Sequence, residues 1–226
     1  MKKIGLVVAV ELAALRRRYG APEETICLPA CEILKYSLYG CELFVLQSGA
    51  GEIAAAAATQ TLICRYAVDA ILNFGVVGGL TEEISQHRTC VVRSVVHYQM
   101  DTSQADADME PGRYLEYPTV FIPADERLRR FALAHNPALR EVVCASGDRF
   151  VGDPAEKEML HRRFQADICD MEAAGILLTC NRNRVPCLLL KMVSDGLSGG
   201  AEEFFQTFQS ASDACVAILD ELLREI

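Results

Sequence analysis

Apolar residues along the chain occur in short β-branched runs that alternate with segments of helical periodicity. Runs of the first kind predict strands, at residues 3–10, 32–39, 42–48, 70–74, 89–96, 142–146 and 187–193. Segments of the second kind predict helices, at 11–19, 53–66, 125–134, 154–164, 172–183 and 202–226. Gly40-Cys41 indicates a hairpin, and the glycine-rich segment 75–79 predicts a turn at the end of a strand. A polar segment over 99–117 predicts a surface loop over or beside a site.

Strands that alternate with helices predict an α/β fold. We expect a three-layer αβα arrangement around a central mixed, largely parallel sheet. Of the 226 residues, 51% are apolar, which is enough to build one sizeable core. The chain contains no repeat, linker or low-complexity segment, so we expect a single domain over residues 1–226.

The formal net charge is −9. A negative field opposes binding to a phosphate backbone, so nucleic acid is not an expected partner. The basic runs at 16–18 and 161–163 are interpreted as the solvated ends of two helices, where the helix dipole favours cations.

Ten cysteines are present, and most lie within apolar runs. Since no signal peptide precedes them, they are interpreted as reduced core residues of a cytoplasmic protein. The four histidines are scattered and no metal-binding motif occurs, so we expect neither a metal nor a cofactor. No apolar run has the length of a membrane span, and no membrane contact is expected.

Polar residues follow directly after several of the predicted strands, at Glu11, Ser48, Asn73, Ser146 and Ser194-Asp195. Because ligands of α/β sheets bind at the carboxyl ends of the strands, these residues predict one site. Strand ends also carry Gly, Ser and Asp as turn formers and helix caps, so each residue has a structural alternative.

The triplet Asp170-Met171-Glu172 opens an Ala-rich helix. A carboxylate at a helix start is stabilised by the helix dipole without any function. The triplet alone therefore leaves capping and ligand binding both open.

Five segments together match a known pattern: SGAG at 48–51, NFGVVGG at 73–79, SGDRF at 146–150, DMEAAG at 170–175 and VSD at 193–195. The chain resembles the purine nucleoside phosphorylase and uridine phosphorylase superfamily, and most of all the 5′-methylthioadenosine/S-adenosylhomocysteine nucleosidases. The resemblance extends over nearly the whole chain in order. It implies an enzyme that hydrolyses the N-glycosidic bond of a purine nucleoside and forms a homodimer or a higher homo-oligomer.

The resemblance also implies roles for individual residues. Glu172 would bind the ribose hydroxyls, with Met171 beneath the sugar. Asp195 would be the general acid at N7 of the leaving purine, which requires a proton on its carboxyl group or one shared in the bound complex. Phe150 would stack on the base, and the backbone of Val151 would read the purine edge.

Three further positions are candidates for substrate binding: Gly75, Ser194 and Phe205. The resemblance implies that Phe205 covers the 5′ substituent. Its helical spacing from Phe208 is equally consistent with a core position.

Two departures from the family pattern concern the nucleophile. The acidic run after the first strand is shortened to Val10-Glu11-Leu12. With a two-residue deletion Glu11 positions the attacking water, whereas an ungapped alignment places Ala13 there. We prefer the deletion because it preserves the helix register. In addition, Val76 replaces a serine of the glycine-rich segment, and Lys191 retains a positive charge without the planar fork of an arginine.

Three alternatives remain open. A phosphorylase needs arginines that bind phosphate, and we find none at the expected position, which favours water as the nucleophile. The segment 49–54 fits the GxGxxA pattern of dinucleotide-binding proteins, but it follows a hairpin and the motif is weak alone. A nucleoside-binding protein with reduced catalysis is the third alternative, and futalosine-type nucleosides are possible substrates.

Overall fold

The computed structural model describes residues 1–225, with residues 86 and 87 described by their backbone alone. Ten strands occur in this part of the chain: β1 (Lys2–Val8), β2 (Glu24–Cys27), β3 (Glu32–Leu38), β4 (Cys41–Gln47), β5 (Ala70–Gly79), β6 (Thr89–His97), β7 (Ile122–Pro123), β8 (Arg140–Ser146), β9 (Ile168–Asp170) and β10 (Cys187–Asp195). Seven helices accompany them: α1 (Leu12–Tyr19), α2 (Glu52–Tyr66), α3 (Glu82–His87), α4 (Glu126–His135), α5 (Pro154–Phe164), α6 (Ala173–Asn183) and α7 (Gly200–Glu225). Every predicted strand and helix is present. The short elements β2, β7, β9 and α3 are not predicted by the sequence pattern.

The described strands form one mixed sheet. At its centre β5 pairs in parallel with β1 on one side and with β10 on the other. Beyond β1 the sheet continues with parallel β4 and then with antiparallel β3 and β2. On the far side the pairing runs from β10 through β6, β8 and β9 back to β5, so five strands close a ring. The predicted α/β fold with a mixed sheet is confirmed.

Helices cover both faces of the sheet. Successive side chains of a strand point to opposite faces, and in β1 Leu6 belongs to one apolar cluster while Val7 belongs to another. The cluster of Leu6 includes Leu219 of α7 and residues of α1 and α4. The cluster of Val7 includes Leu62 of α2 and Ile176 of α6. The sheet is therefore the middle one of three layers.

The glycine-rich segment 75–79 is part of β5. The prediction of a turn there is wrong, because β5 stays paired with β10 from Ile71 opposite Cys187 to Gly78 opposite Asp195. Glycine at these positions leaves room for side chains from neighbouring strands. A Cβ on Gly78 would lie 3.0 Å from the Cys169 Sγ and 3.4 Å from the Asp195 Oδ2. The strand therefore extends into the region where the polar strand ends gather.

The two basic runs lie in the last turns of α1 and α5, as predicted. In α1, Arg17 pairs with Asp213 and Arg18 with Asp220, both on α7. These arginines therefore join α1 to α7 at the surface.

All ten cysteines are free thiols, and seven of them are buried. Cys27 and Cys64 are exposed, so the prediction of core cysteines is wrong for these two. Cys27 ends the edge strand β2, and Cys64 lies in the last turn of α2.

Two absences concern the described residues only. Within residues 1–225, no helix combines the length and apolar character that a bilayer crossing requires. Among the side chains that the structure describes, no group of three or more His, Cys, Asp or Glu residues is arranged to hold a metal ion.

Helices α2 and α6 meet at their first turns. A Cβ on Gly175 of α6 would lie 2.3 Å from the backbone oxygen of Glu52, the first residue of α2. This separation is far below van der Waals contact, and the obstructing atom belongs to the backbone. The two helix N-termini can approach this closely only because residue 175 is glycine.

We therefore expect Gly175→Ala to destabilise the protein by about 1–3 kcal/mol through overpacking. The higher helix propensity of alanine acts in the opposite direction and by itself would stabilise the variant by about 1 kcal/mol. Urea denaturation measures the difference. Gln206→Ala, at an exposed position of α7, is the matched control and should change stability by less than about 0.5 kcal/mol. A Gly175→Ala variant as stable as the parent would contradict the close approach.

Candidate active site

A cavity of about 200 Å³ opens at the carboxyl ends of the central strands. Its wall combines the β1–α1 junction, the β4–α2 loop, the end of β5, the loop after β8, the β9–α6 junction, the end of β10 and one residue of α7. Elements far apart in sequence thus meet in one place, as expected for an α/β sheet.

Seven of the nine predicted site residues lie in the wall: Glu11, Phe150, Val151, Met171, Glu172, Ser194 and Asp195. The structure brings these residues together. Gly75 and Phe205 are not among the lining residues.

Gly75 lies behind the cavity wall. A Cβ at this position would be 3.0 Å from the Glu11 Oε1 and 3.7 Å from the Lys191 Nζ. Glycine at this position therefore leaves space for two charged groups, and the substrate contact predicted for Gly75 stays a prediction.

The α7 residue in the wall is Phe204 rather than Phe205. The Phe204 ring packs edge-on against Phe150, with centroids 5.4 Å apart, while Phe205 is 78% exposed. Adjacent residues of an α-helix point about 100° apart, so only one of the two rings can face the cavity. Phe204 thus occupies the wall, whereas the cover over the 5′ substituent that was predicted for Phe205 stays a prediction; Phe205 is not a core residue.

Glu11 immediately precedes α1, and its side chain is buried. One carboxylate oxygen accepts a hydrogen bond from the Val76 N–H at 2.9 Å, and the other accepts one from the Val10 N–H at 3.0 Å. Ala13, the residue of the ungapped alignment, is exposed on α1. Of the two alignments, only the one with the deletion places an acidic group in the cavity wall.

The two acids of the triplet at the start of α6 differ in their contacts: Asp170 contacts the helix N-terminus, and Glu172 faces the cavity. Asp170 is buried, its Oδ2 lies 2.7 Å from the Lys191 Nζ, and its Oδ1 accepts from the Ala173 N–H. It therefore caps the helix and forms an ion pair. Glu172 is turned to the cavity, where its Oε1 accepts from the Gly51 N–H at 3.0 Å.

The surroundings of Glu172 raise the pKa of its carboxyl group to about 7. Burial is the main cause, the nearby Asp170 carboxylate adds to it, and the Lys191 ammonium opposes it. Opposing effects act on Lys191, where burial lowers the pKa but Asp170 and other acidic neighbours outweigh it, so the pKa is raised. Lys191 is thus the buried cation of this part of the site.

Another acid, Glu52, lies beside Asp170 and the start of α6 and is missing from the residues predicted from the sequence. The Ser146 hydroxyl lies 2.5 Å from the Glu52 Oε1 and 2.6 Å from the Asp170 Oδ1, and it accepts from the Ala174 N–H. One hydroxyl has one proton, so it can donate to only one of the two carboxyl groups. Since Asp170 is paired with Lys191, Glu52 is the acid that carries a proton and donates it to Ser146.

This assignment agrees with the electrostatics of Glu52. Burial, together with the Asp170 charge, raises its pKa to about 8. The pair of Glu52 and Asp170 therefore holds one proton between two acids near neutral pH.

Lys157 is the second residue missing from the set. Its ammonium group lies 2.6 Å from the Asp195 Oδ2, and both side chains are almost fully buried. Lys157, Leu160 and Phe164 follow the helical spacing of the buried face of α5. A lysine within an apolar stripe is the signal that would have identified it.

Comparison with known proteins agrees with this geometry. The model of the phosphorylase superfamily matches residues 3–224. The chain belongs to this superfamily. The chain is 29% identical to the 5′-methylthioadenosine/S-adenosylhomocysteine nucleosidase of Tolumonas auensis, over 97% of this chain and 100% of that protein. It is 28% identical to the aminodeoxyfutalosine nucleosidase of Helicobacter pylori strain J99, over 94% of each chain.

Solved structures of this superfamily have the same fold. The 5′-methylthioadenosine/S-adenosylhomocysteine nucleosidase of Helicobacter pylori with butyl-thio-DADMe-Immucillin-A superposes with a TM-score of 0.92. The two chains are 26% identical over 100% of this chain and 99% of that one. The resemblance inferred from the sequence motifs is confirmed.

The protonated state of Glu52 has a measurable effect on stability. Its pKa is about 8 in the folded protein and 4.5 for an ordinary glutamate, so the folded state binds more protons between these values. The contribution of Glu52 to stability is therefore complete below pH 4.5 and is lost as the pH rises through about 8. Glu52→Gln keeps a neutral side chain in which the amide N–H group can donate and the carbonyl oxygen can accept. We expect its melting temperature to rise relative to the parent as the pH increases from about 5 to about 9.

Glu158→Gln, at an exposed position of α5, is the control and should show no such trend. Thermal unfolding followed by circular dichroism across this range measures both variants. A difference between Glu52→Gln and the parent that stays constant with pH would mean that Glu52 is charged in the folded protein.

Proposed function

We propose that the chain hydrolyses the N-glycosidic bond of an adenine nucleoside with a modified 5′ position, of the 5′-methylthioadenosine, S-adenosylhomocysteine or aminodeoxyfutalosine type. The observation that carries this proposal is the convergence of Glu11, Glu172 and Asp195 from three strand ends on one cavity. The similar nucleosidases support the reaction and the class of substrate.

The three carboxyl groups have separate roles in the proposed reaction. Glu172 binds the ribose hydroxyls and, by its negative charge, favours the positive charge that develops on the sugar. Asp195 protonates the leaving purine, and burial supports this role because it raises the pKa of its carboxyl group against the effect of Lys157. Glu11 positions and deprotonates the attacking water.

Aromatic and apolar groups complete the proposed substrate contacts. Phe150 and Phe204 form an edge-on pair at the wall, which suits the stacking of a flat base or a cover over the 5′ group. Met171 packs beneath the sugar, and the backbone of Val151 pairs with the purine edge. Ser194 lies directly before Asp195 and can donate to its Oδ1, at 3.1 Å.

The charges around the cavity favour water over phosphate. The buried cation nearest to Glu11 and Glu172, Lys191, is already paired with Asp170. Arg149 lines the cavity, but its guanidinium group is mostly exposed and pairs with Glu156 at 3.0 Å. A phosphate dianion would face two carboxyl groups without a free cation among the described residues of this wall.

Two expectations about the whole molecule remain proposals. Exposed apolar side chains support a homodimer in which the partner covers them: Val10 and Phe150 of the cavity wall, and Phe205 next to Phe204. A cytoplasmic location stays a prediction from the sequence.

The substrate class can be tested with purified protein and 5′-methylthioadenosine, S-adenosylhomocysteine, aminodeoxyfutalosine, adenosine and inosine. We expect free base and unphosphorylated sugar from at least one of the 5′-modified adenine nucleosides, at a rate that does not depend on phosphate. Chromatography resolves base, sugar and sugar 1-phosphate. A sugar 1-phosphate that forms only with phosphate would identify a phosphorylase, and tight binding without cleavage would identify a nucleoside-binding protein.

The roles of two acids can be separated by conservative variants. Asp195→Asn and Glu11→Gln should each lower kcat by about 10²- to 10⁴-fold, because each removes a proton transfer. Neither should weaken binding of an uncleaved nucleoside analogue to the same extent. Asp213→Asn, which removes a surface carboxylate paired with Arg17, is the matched control and should retain full activity. Full activity in Asp195→Asn would refute its role as the acid.

A further inference from the structure

The ammonium group of Lys157 is completely buried beneath the cavity. Its Nζ donates to the Asp195 Oδ2 at 2.6 Å and to the Gly196 carbonyl at 2.7 Å. The exposed fractions of the two side chains are 0% for Lys157 and 1% for Asp195. Such a pair is desolvated on both sides, and its attraction must offset a large desolvation cost.

Stability alone does not account for a lysine at this place. Lys157 occupies the buried face of α5 together with Leu160 and Phe164, where an apolar residue would complete the stripe. Replacing a buried ion pair with apolar residues that pack well is often neutral or stabilising. The pair also lies at the cavity wall, since Asp195 is one of the lining residues. These facts point to a role in the chemistry of Asp195.

The geometry distinguishes the two oxygens of Asp195. Oδ2 is occupied by the Lys157 ammonium, which can only donate. The neighbour of Oδ1 is the Ser194 hydroxyl at 3.1 Å, which can instead donate its proton to the Val77 carbonyl at 3.2 Å. Oδ1 is therefore the oxygen that can carry a proton, and Oδ2 is not.

The backbone leaves room for this arrangement. A Cβ on Gly78 would lie 3.4 Å from the Asp195 Oδ2 and 3.5 Å from the Lys157 Cε. Glycine at this position of β5 thus allows the two side chains to meet against the strand.

We propose that Lys157 is a positioning residue for the glycosidic cleavage, which holds Asp195 by Oδ2 so that its proton is carried and delivered from Oδ1. The inference rests on the proposed function, in which Asp195 protonates the leaving purine. In that step the proton moves from Oδ1 to the purine as the C–N bond electrons pass to the base. Asp195 is left as a carboxylate, and the Lys157 ammonium stabilises it. Lys157 itself neither gains nor loses a proton.

The other groups around Asp195 modify this effect. Glu203 of α7 lies near and raises the pKa of Asp195, but it is itself paired with Arg88 at 2.6 Å and accepts from the Gly196 N–H. Cys169 of β9 is buried on the same side, and burial raises the pKa of its thiol to about 12, so it stays neutral. Lys157 is thus the cation in direct contact with Asp195.

The test is the pH dependence of kcat in Lys157→Met and Lys157→Arg. Activity that needs a protonated Asp195 declines on the alkaline side as the carboxyl group ionises. Loss of the neighbouring positive charge raises the pKa of Asp195, so in Lys157→Met this decline should move to higher pH by about 1 unit or more. The maximal kcat should fall by about tenfold or more, because the carboxyl group is no longer held in one orientation. Lys157→Arg retains the charge and should keep the decline near its original pH.

If kcat of Lys157→Met is lower but still declines at the same pH as in the parent, Lys157 contributes only to packing, and the inference is overturned. Asp195→Asn separates this result from failure of the proposed function. If Asp195→Asn is fully active, the proposed acid is wrong. If it is inactive while the profile of Lys157→Met is unshifted, only the inference about Lys157 fails.

A measurement on the unsubstituted protein covers the case in which neither lysine variant folds. The ¹⁵N signal of the Lys157 ammonium should shift at the pH where the ¹³C signal of the Asp195 carboxyl group titrates, because the two groups are in direct contact. Asp195→Asn identifies the carboxyl signal and should abolish the shift of the ammonium signal. An ammonium signal that does not respond to the titration of Asp195 would overturn the proposal.

Discussion

The site depends on the parallel pairing of β5 with β1 on one side and β10 on the other. Parallel neighbours end at the same edge of a sheet, so the residues after β1 and at the end of β10 must meet at the end of β5. The buried Asn73 strengthens this junction, since its side-chain amide donates to the Val7 carbonyl at 3.0 Å. Antiparallel pairing of Gly78 with Cys169 adds β9 to the same edge and brings Glu172 with it. The three acids with proposed catalytic roles, Glu11, Glu172 and Asp195, thus come together through the neighbours of one strand.

The same edge concentrates negative charge, and the structure compensates for it at defined points. Two buried lysines each pair with one aspartate, Lys191 with Asp170 and Lys157 with Asp195. Glu52 avoids a further charge by keeping its proton. The carboxyl groups of Glu11 and Glu172 remain turned to the cavity, held by backbone N–H groups. Donors that are fixed before a ligand arrives need no reorganisation during a reaction, and such preorganisation is typical of catalytic sites.

Particular residues show how far a sequence can be interpreted. Glu11, the residue chosen by the alignment with the deletion, does line the cavity. Only two residues separate it from the end of β1, and α1 begins directly after it, so the backbone at Glu11 has few alternative positions. The ring at the cavity is Phe204 rather than Phe205, because an uncertainty of one residue on a helix changes the direction of a side chain by about 100°. The segment 75–79 has the composition of a turn, and its pairing with β10 nonetheless keeps it extended. In each case a tertiary contact selects one of several locally acceptable structures.

The sequence by itself determined the longer strands and helices, the α/β class and most of the strand ends that carry the polar residues, because periodicity and residue type are properties of neighbouring positions. The motifs of the superfamily placed seven residues that line the cavity. Only the tertiary structure decided which charged groups are partners. Lys157 and Asp195 are 38 positions apart, and Ser146 and Glu52 are 94 apart. No local pattern couples such positions, since burial and distance, which set both the ion pairs and the protonation of Glu52, exist only after the sheet has closed its ring.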